Sequence, residues 1–121
     1  MEQITLKRIY EPYNPNDGYR VLIDRLWPRG VTKARAQLDD WAKDVAPSSE
    51  LRKWFAHDPK KFTAFEERYL DELHNDKVKR QKFEELYTLA QTTKITLLFA
   101  AKDPIHNHAI LLKAQLERIS E

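Results

Sequence analysis

The stretch Lys94-Ile95-Thr96-Leu97-Leu98-Phe99-Ala100-Ala101-Lys102-Asp103-Pro104-Ile105-His106-Asn107-His108 decides the fold. In its first part Ile95, Leu97, Phe99 and Ala101 point one way, and Thr96, Leu98 and Ala100 the other. Both sets are essentially apolar. A strand with two apolar faces is covered on both, so it belongs at the centre of a sheet with helices above and below. Asp103-Pro104 then reads as a helix start, because Asp is a good N-cap and Pro at the first helical position loses no intrahelical bond. Ile105, Ala109, Leu112, Leu116 and Ile119 follow as one apolar stripe, which predicts a C-terminal helix.

Outward from this stretch, the same alternation of strand and helix recurs. Residues 19–24 contain Arg20-Val21-Leu22-Ile23 and predict a second strand. Ile4 and Leu6 alternate with Thr5 and Lys7, as in a half-buried strand near an edge. Between them, residues 11–18 carry two prolines, two asparagines and Asp17-Gly18, and form a loop. Pro28 and Gly30 break structure, and Thr32 caps a short helix through Gln37. Trp41 and Val45 suggest a third, short strand. Pro47-Ser48-Ser49-Glu50 opens a helix whose Leu51, Trp54 and Phe55 share a face, ending near His57. Asp58-Pro59 opens another, with Phe62, Phe65, Tyr69 and Leu73 on its core face, and a further helix runs over residues 77–91. The expectation is one α/β domain over residues 1–121. It is three-layered, with a small, mainly parallel sheet of three or four strands and helices on both faces.

Composition narrows the function classes. A chain of 121 residues buries roughly two thirds of its unfolded surface and needs no staple. Hydrophobic residues make up 41% and charged residues 33%, a globular balance. The net charge of +2 argues against a dedicated DNA binder, which carries a strongly basic stripe. The absence of cysteine excludes a disulfide framework, a thiolate zinc site and a cysteine nucleophile. With only two glycines, there is no glycine-rich phosphate loop. No apolar run approaches the ~20 residues of a membrane helix, and Met1-Glu2-Gln3-Ile4 does not open a signal peptide. The expected compartment is the cytoplasm, with no membrane partner.

Two polar clusters follow the two predicted strands. One is Asp24-Arg25-Leu26-Trp27-Pro28-Arg29-Gly30 and the other is Lys102-Asp103-Pro104-Ile105-His106-Asn107-His108. In a parallel sheet both fall at the carboxyl edge, where open α/β sheets bind ligands. Arg25 and Arg29 offer planar forks suited to carboxylate or phosphate. Trp27 stacks on a ligand ring or fills the core. Lys102, Asn107 and the backbone from Asp103 to His106 assist with an anion. With Asp103 as N-cap, His106 lies in the first helical turn, where the helix dipole disfavours imidazolium. A neutral imidazole suits a general base, so His106 or His108, with Asp24 nearby, is the candidate acid–base pair. Residues two apart on a helix point about 200° from each other, so the two histidines do not share a metal, and no metal or cofactor is expected. Against this stands a bland reading, in which Asp24 pairs with an arginine and the histidines cap or pack.

At these residues the chain resembles a known family. Asp24-Arg25-Leu26-Trp27-Pro28-Arg29-Gly30, Ala46-Pro47-Ser48, Leu51-Arg52-Lys53-Trp54-Phe55-Ala56-His57-Asp58-Pro59, Ala100-Ala101-Lys102-Asp103 and His106-Asn107-His108-Ala109 resemble the YeaO-like branch of the DUF 488 family, in order and over nearly the whole chain. The resemblance implies a compact bacterial α/β domain and brings no established activity.

Three readings therefore stand open. In the first, a cationic pocket at the carboxyl edge of the sheet binds a small phosphate- or carboxylate-bearing ligand, with acid–base chemistry as an option. In the second, the chain is a non-catalytic interaction module that uses the basic run Lys77, Lys79, Arg80 and Lys82. A charge run on an amphipathic helix is usually a solvated face, and no aromatic interleaves this one to stack a nucleic acid. In the third, the polar clusters are purely structural. His57, beside Asp58 at a helix junction, is read as structural or exposed.

Overall fold

The computed structural model describes residues 4–119; Met1–Gln3, Ser120, Glu121 and the side chain of Ile119 lie outside the described residues. The strands are β1 (Ile4–Arg8), β2 (Tyr19–Leu22), β3 (Asp40–Trp41) and β4 (Ile95–Phe99). The helices are α1 (Lys33–Ala36), α2 (Ser49–Phe55), α3 (Phe62–Asn75), α4 (Lys77–Ala90) and α5 (His108–Ile119). The fold is mixed α/β, as expected. All three strand pairings are parallel, in the order β1-β4-β2-β3. Ile95 is in register with Ile4 on one side and Tyr19 on the other. Every residue of β4 is buried, as its two apolar faces require. Among the described residues no helix is long and apolar enough to cross a membrane.

The two faces of the sheet are covered unequally. Ile95, Leu97 and Phe99 join Val21, Ile23 and the apolar stripes of α2 to α5 in the larger core. On the opposite face Leu22 and Leu98 pack with Ile9 after β1, Trp41 of β3, Ala36 of the single-turn α1, and Trp27 and Val31 from the loop before it. That thinner layer is anchored by a buried polar network. Arg20, 1% exposed, donates to Asp17 and to the carbonyls of Ala36 and Gln37, so it closes the C-terminal end of α1. Lys7 Nζ reaches both Asp17 carboxylate oxygens at 3.0 and 3.1 Å. Burial pushes the Asp17 pKa up, but the hydrogen bonds from Lys7, the Asn14 amide and Arg20 outweigh it and hold the carboxyl below its ordinary value.

Local signals set most boundaries. The side chains of Thr32, Ser48 and Asp76 accept hydrogen bonds from backbone amides at the N-termini of α1, α2 and α4. Asp58 caps a 3-10 turn (Pro59–Lys61) that runs directly into α3.

Three expectations need correction. The last helix begins at His108, not at the Asp103-Pro104 pair. Asp103 instead closes a turn by accepting from the Ile105 and His106 amides, and Asn107 caps the helix by accepting from Ile110 N at 3.0 Å. Val45 lies in a 3-10 turn (Lys43–Val45) rather than in a strand, because β3 pairs with β2 over only two residues. The basic run of α4 is not one solvated face. Lys79 is 4% exposed, and its Nζ bonds the Ala46 carbonyl at 2.5 Å and the Asp44 carbonyl at 3.2 Å. Lys82 pairs with Asp40 at 2.6 Å.

Candidate functional site

Because β2 and β4 are adjacent and parallel, the chain leaves both at the same edge. The segments that follow them meet there around an open cavity of about 630 Å³. Asp24, Arg25, Trp27, Arg29, Lys102, Asp103, Asn107 and His108 all line it. The structure thus brings together every sequence-predicted site residue except His106. That ring packs edge-on against Phe62, centroids 5.2 Å apart, and its Nδ1 donates to Asp103 Oδ2 at 2.9 Å. Since α5 starts two residues later, the helix-dipole argument for a neutral His106 does not apply.

Part of the lining is held by internal bonds. Asp24 Oδ2 accepts from the Ala100 amide at 3.0 Å, which ties the end of β2 to the end of β4. His108 Nε2 lies 2.9 Å from the Ile23 carbonyl and 3.5 Å from Asp24 Oδ1. A carbonyl only accepts, so Nε2 carries a proton. Burial raises the Asp24 pKa above its ordinary value, against the opposing pull of His108 and the Ala100 amide. Asp103 is the opposite case. Hydrogen bonds from the His106 amide, the Ile105 amide and the His106 ring bring its pKa down to about 2. Trp27 Nε1 donates to the Val31 carbonyl at 2.6 Å, and its ring meets Trp41 edge-on at 5.3 Å. Trp27 is therefore both core filler and cavity wall. Asn107, 3% exposed, donates to the Asp103 carbonyl while it caps α5.

The cations differ from these. Asp24 forms no ion pair with Arg25 or Arg29, as the bland reading required; its partners are His108 and a backbone amide. Arg25 Nε donates to the Pro47 carbonyl at 3.1 Å. Among the described residues the side chains of Arg29 and Lys102 have no hydrogen-bond or ion-pair partner, and both line the cavity.

Two polar lining residues were not singled out as site residues. Arg52 and His57 enter the lining from α2 and the turn after it. Ala56 (φ 46°) and His57 (φ 57°) are consecutive left-handed residues without glycine, an uncommon conformation. Ala56 ends α2 by donating its amide to the Arg52 carbonyl. The signal for this turn lies only in the motif 51–59, which carries the family resemblance and no site chemistry of its own. The Arg52 side chain, like those of Arg29 and Lys102, has no hydrogen-bond or ion-pair partner among the described residues, though its charge helps to pull the Asp24 pKa down.

The segment of residues 44–48, whose Ala46 and Pro47 line the cavity, is clamped from behind. Tyr69 Oη donates to the Val45 carbonyl at 2.5 Å, and Glu72 accepts from Ser48 N at 2.8 Å and Ser48 Oγ at 2.6 Å. Lys79 bonds the carbonyls of Asp44 and Ala46. Burial lowers the Lys79 pKa, and the Glu72 carboxylate resists that shift.

A family model described as "Inactive DUF488-N3 subclade" matches residues 3–121. The chain is 44% identical over 111 residues to "Uncharacterized protein YeaO" of Escherichia coli (strain K12), covering 90% of this chain and 92% of that protein. It is 40% identical over 114 residues to "Uncharacterized protein Rv3073c" of Mycobacterium tuberculosis (strain ATCC 25618 / H37Rv), covering 94% of this chain and 92% of that protein. "Uncharacterized protein Mb3100c" of Mycobacterium bovis (strain ATCC BAA-935 / AF2122/97) gives the same identity and coverage. No solved structure matches.

Proposed function

The chain belongs to the DUF488 family, in the subclade described as inactive, and from that premise we propose that it binds a small phosphate- or carboxylate-bearing ligand rather than turning one over. The observation that carries this reading is the set of cations on one cavity. Arg25, Arg29, Arg52 and Lys102 line it, and no carboxylate pairs with any of them among the described residues. The two lining carboxylates are engaged, Asp24 by the Ala100 amide and His108, Asp103 by the amides and ring of its own turn. The arginines supply forks for an anion's oxygens and Lys102 a point charge. Asp24, Asp103, Asn107 and His108 hold the two strand ends in place around it.

Acid–base chemistry would fall to His108 and Asp24, but the bond from His108 Nε2 to the Ile23 carbonyl suits holding better than proton transfer. The interaction-module reading has less support, since Lys79 is buried and Lys82 is paired. The cytoplasm remains the proposed compartment, consistent with a cysteine-free chain.

The test is a thermal-shift panel of phosphorylated metabolites, nucleotides and carboxylates, on the wild type and on Arg29→Ala and Arg52→Ala. A ligand at about 100 times its Kd adds about 2.7 kcal/mol, which raises the midpoint by several degrees. The reading expects such a shift in the wild type and its loss in both variants. Flat traces across the panel would overturn it.

A further inference from the structure

The cavity spans the sheet edge and takes a wall from each layer. Trp27 and Tyr10 pack with the core on one face of the sheet, while Phe55 and Phe65 belong to the core on the other. All four line the cavity. The walls are fixed before any ligand arrives. Phe55 and Phe65 are stacked at 4.2 Å with 18° between planes, and Trp27 is held by its bond to the Val31 carbonyl. Leu26, another lining residue, is 59% exposed although it is large and apolar. A site for a bare inorganic anion needs donors and no such walls; an apolar cavity with a few placed polar groups is the usual form of an organic ligand site.

We infer that the ligand is a flat aromatic ring carrying a phosphate or carboxylate, with the ring between Trp27 and the Phe55–Phe65 pair and the anion among the cations. This rests on the binding reading above and adds the chemical class. The ring is held by apolar contact and offset or edge-on aromatic packing. Arginines beside aromatic walls also favour a ring through their guanidinium planes.

Titration calorimetry of the wild type with two matched pairs tests it: phenyl phosphate against methyl phosphate, and phenylacetate against acetate. Burying a phenyl group predicts that the aromatic member of the binding pair is tighter by about 10- to 100-fold. Trp27→Leu should remove most of that ratio; the wild-type comparison stands even where this variant folds poorly. Ratios below about threefold in both pairs would overturn the inference and leave the anion pocket intact. No binding by any of the four would remove the pocket reading, and this one with it.

Discussion

Replacing Lys79 with methionine keeps an apolar stem of similar length in α4 and deletes the buried ammonium. Its partners are the Ala46 carbonyl at 2.5 Å, the Asp44 carbonyl at 3.2 Å and Glu72 Oε1 at 3.9 Å. Their fates differ. Asp44 is exposed, so water can replace the lysine there. Glu72 keeps Ser48 N and Oγ. Ala46 is 1% exposed, and its carbonyl is left without a donor. A buried acceptor stripped of its partner costs about 1–3 kcal/mol, and a bond to a charged group is worth about 1.5–3 kcal/mol. Methionine recovers part of this because it carries no charge to desolvate. The net expectation is a loss of about 2–3 kcal/mol. In urea, with a slope of about 1–3 kcal/mol/M, the unfolding midpoint should fall by about 1–2 M at unchanged slope. A fall below about 0.3 M would refute the claim that Lys79 clamps residues 44–48 and would return it to the solvated run read from the sequence.

Arg20→Met should cost about 2–3 kcal/mol, read as a drop of roughly 10 °C in the thermal midpoint. The value sits below the ~3–5 kcal/mol of a broken buried pair because Asp17 keeps Lys7. Gly18→Ala should cost at least about 2 kcal/mol by chemical denaturation. At Gly18 φ is +69°, and an added Cβ would sit 2.5 Å from the Lys94 carbonyl oxygen. The lowered Asp17 pKa makes the sign of an acid effect definite. Its folded value lies below its ordinary 3.8, so its contribution is present above pH 3.8 and is lost as pH falls through the folded value. Urea midpoints measured from pH 6 down to pH 2 should therefore fall less steeply below pH 3.8 for Asp17→Asn than for the wild type.

The legible parts of the fold were those where one signal acted alone. The two apolar faces of residues 95–99 admitted one placement, and β4 took it. The strand-end clusters followed, because parallel neighbours must release the chain at one edge. What stayed hidden was settled by competition or by distance. Asp103 and Asn107 are both good caps four residues apart. Asn107 wins because it is buried and ties back to the Asp103 carbonyl, a contact that local pattern does not encode. Lys79 reads like its neighbours Lys77 and Arg80 until α4 is packed against the turn at residues 43–45. Arg20 sits inside an apolar run, and nothing local shows that it closes a helix beginning thirteen residues later. Arg52 and His57 reach the cavity only through the left-handed turn that ends α2. Positive φ at alanine and histidine has no sequence signature comparable to glycine.

The claim that the two strand-end clusters form one binding pocket is tested most directly by backbone amide NMR during a titration with phenyl phosphate. The account predicts that the non-proline amides at residues 25–29, 52–57 and 100–107 shift together along one saturation curve with a single Kd, while those at residues 77–82 stay still. Shifts confined to one cluster, separate curves for the clusters, or a response centred on residues 77–82 would contradict it.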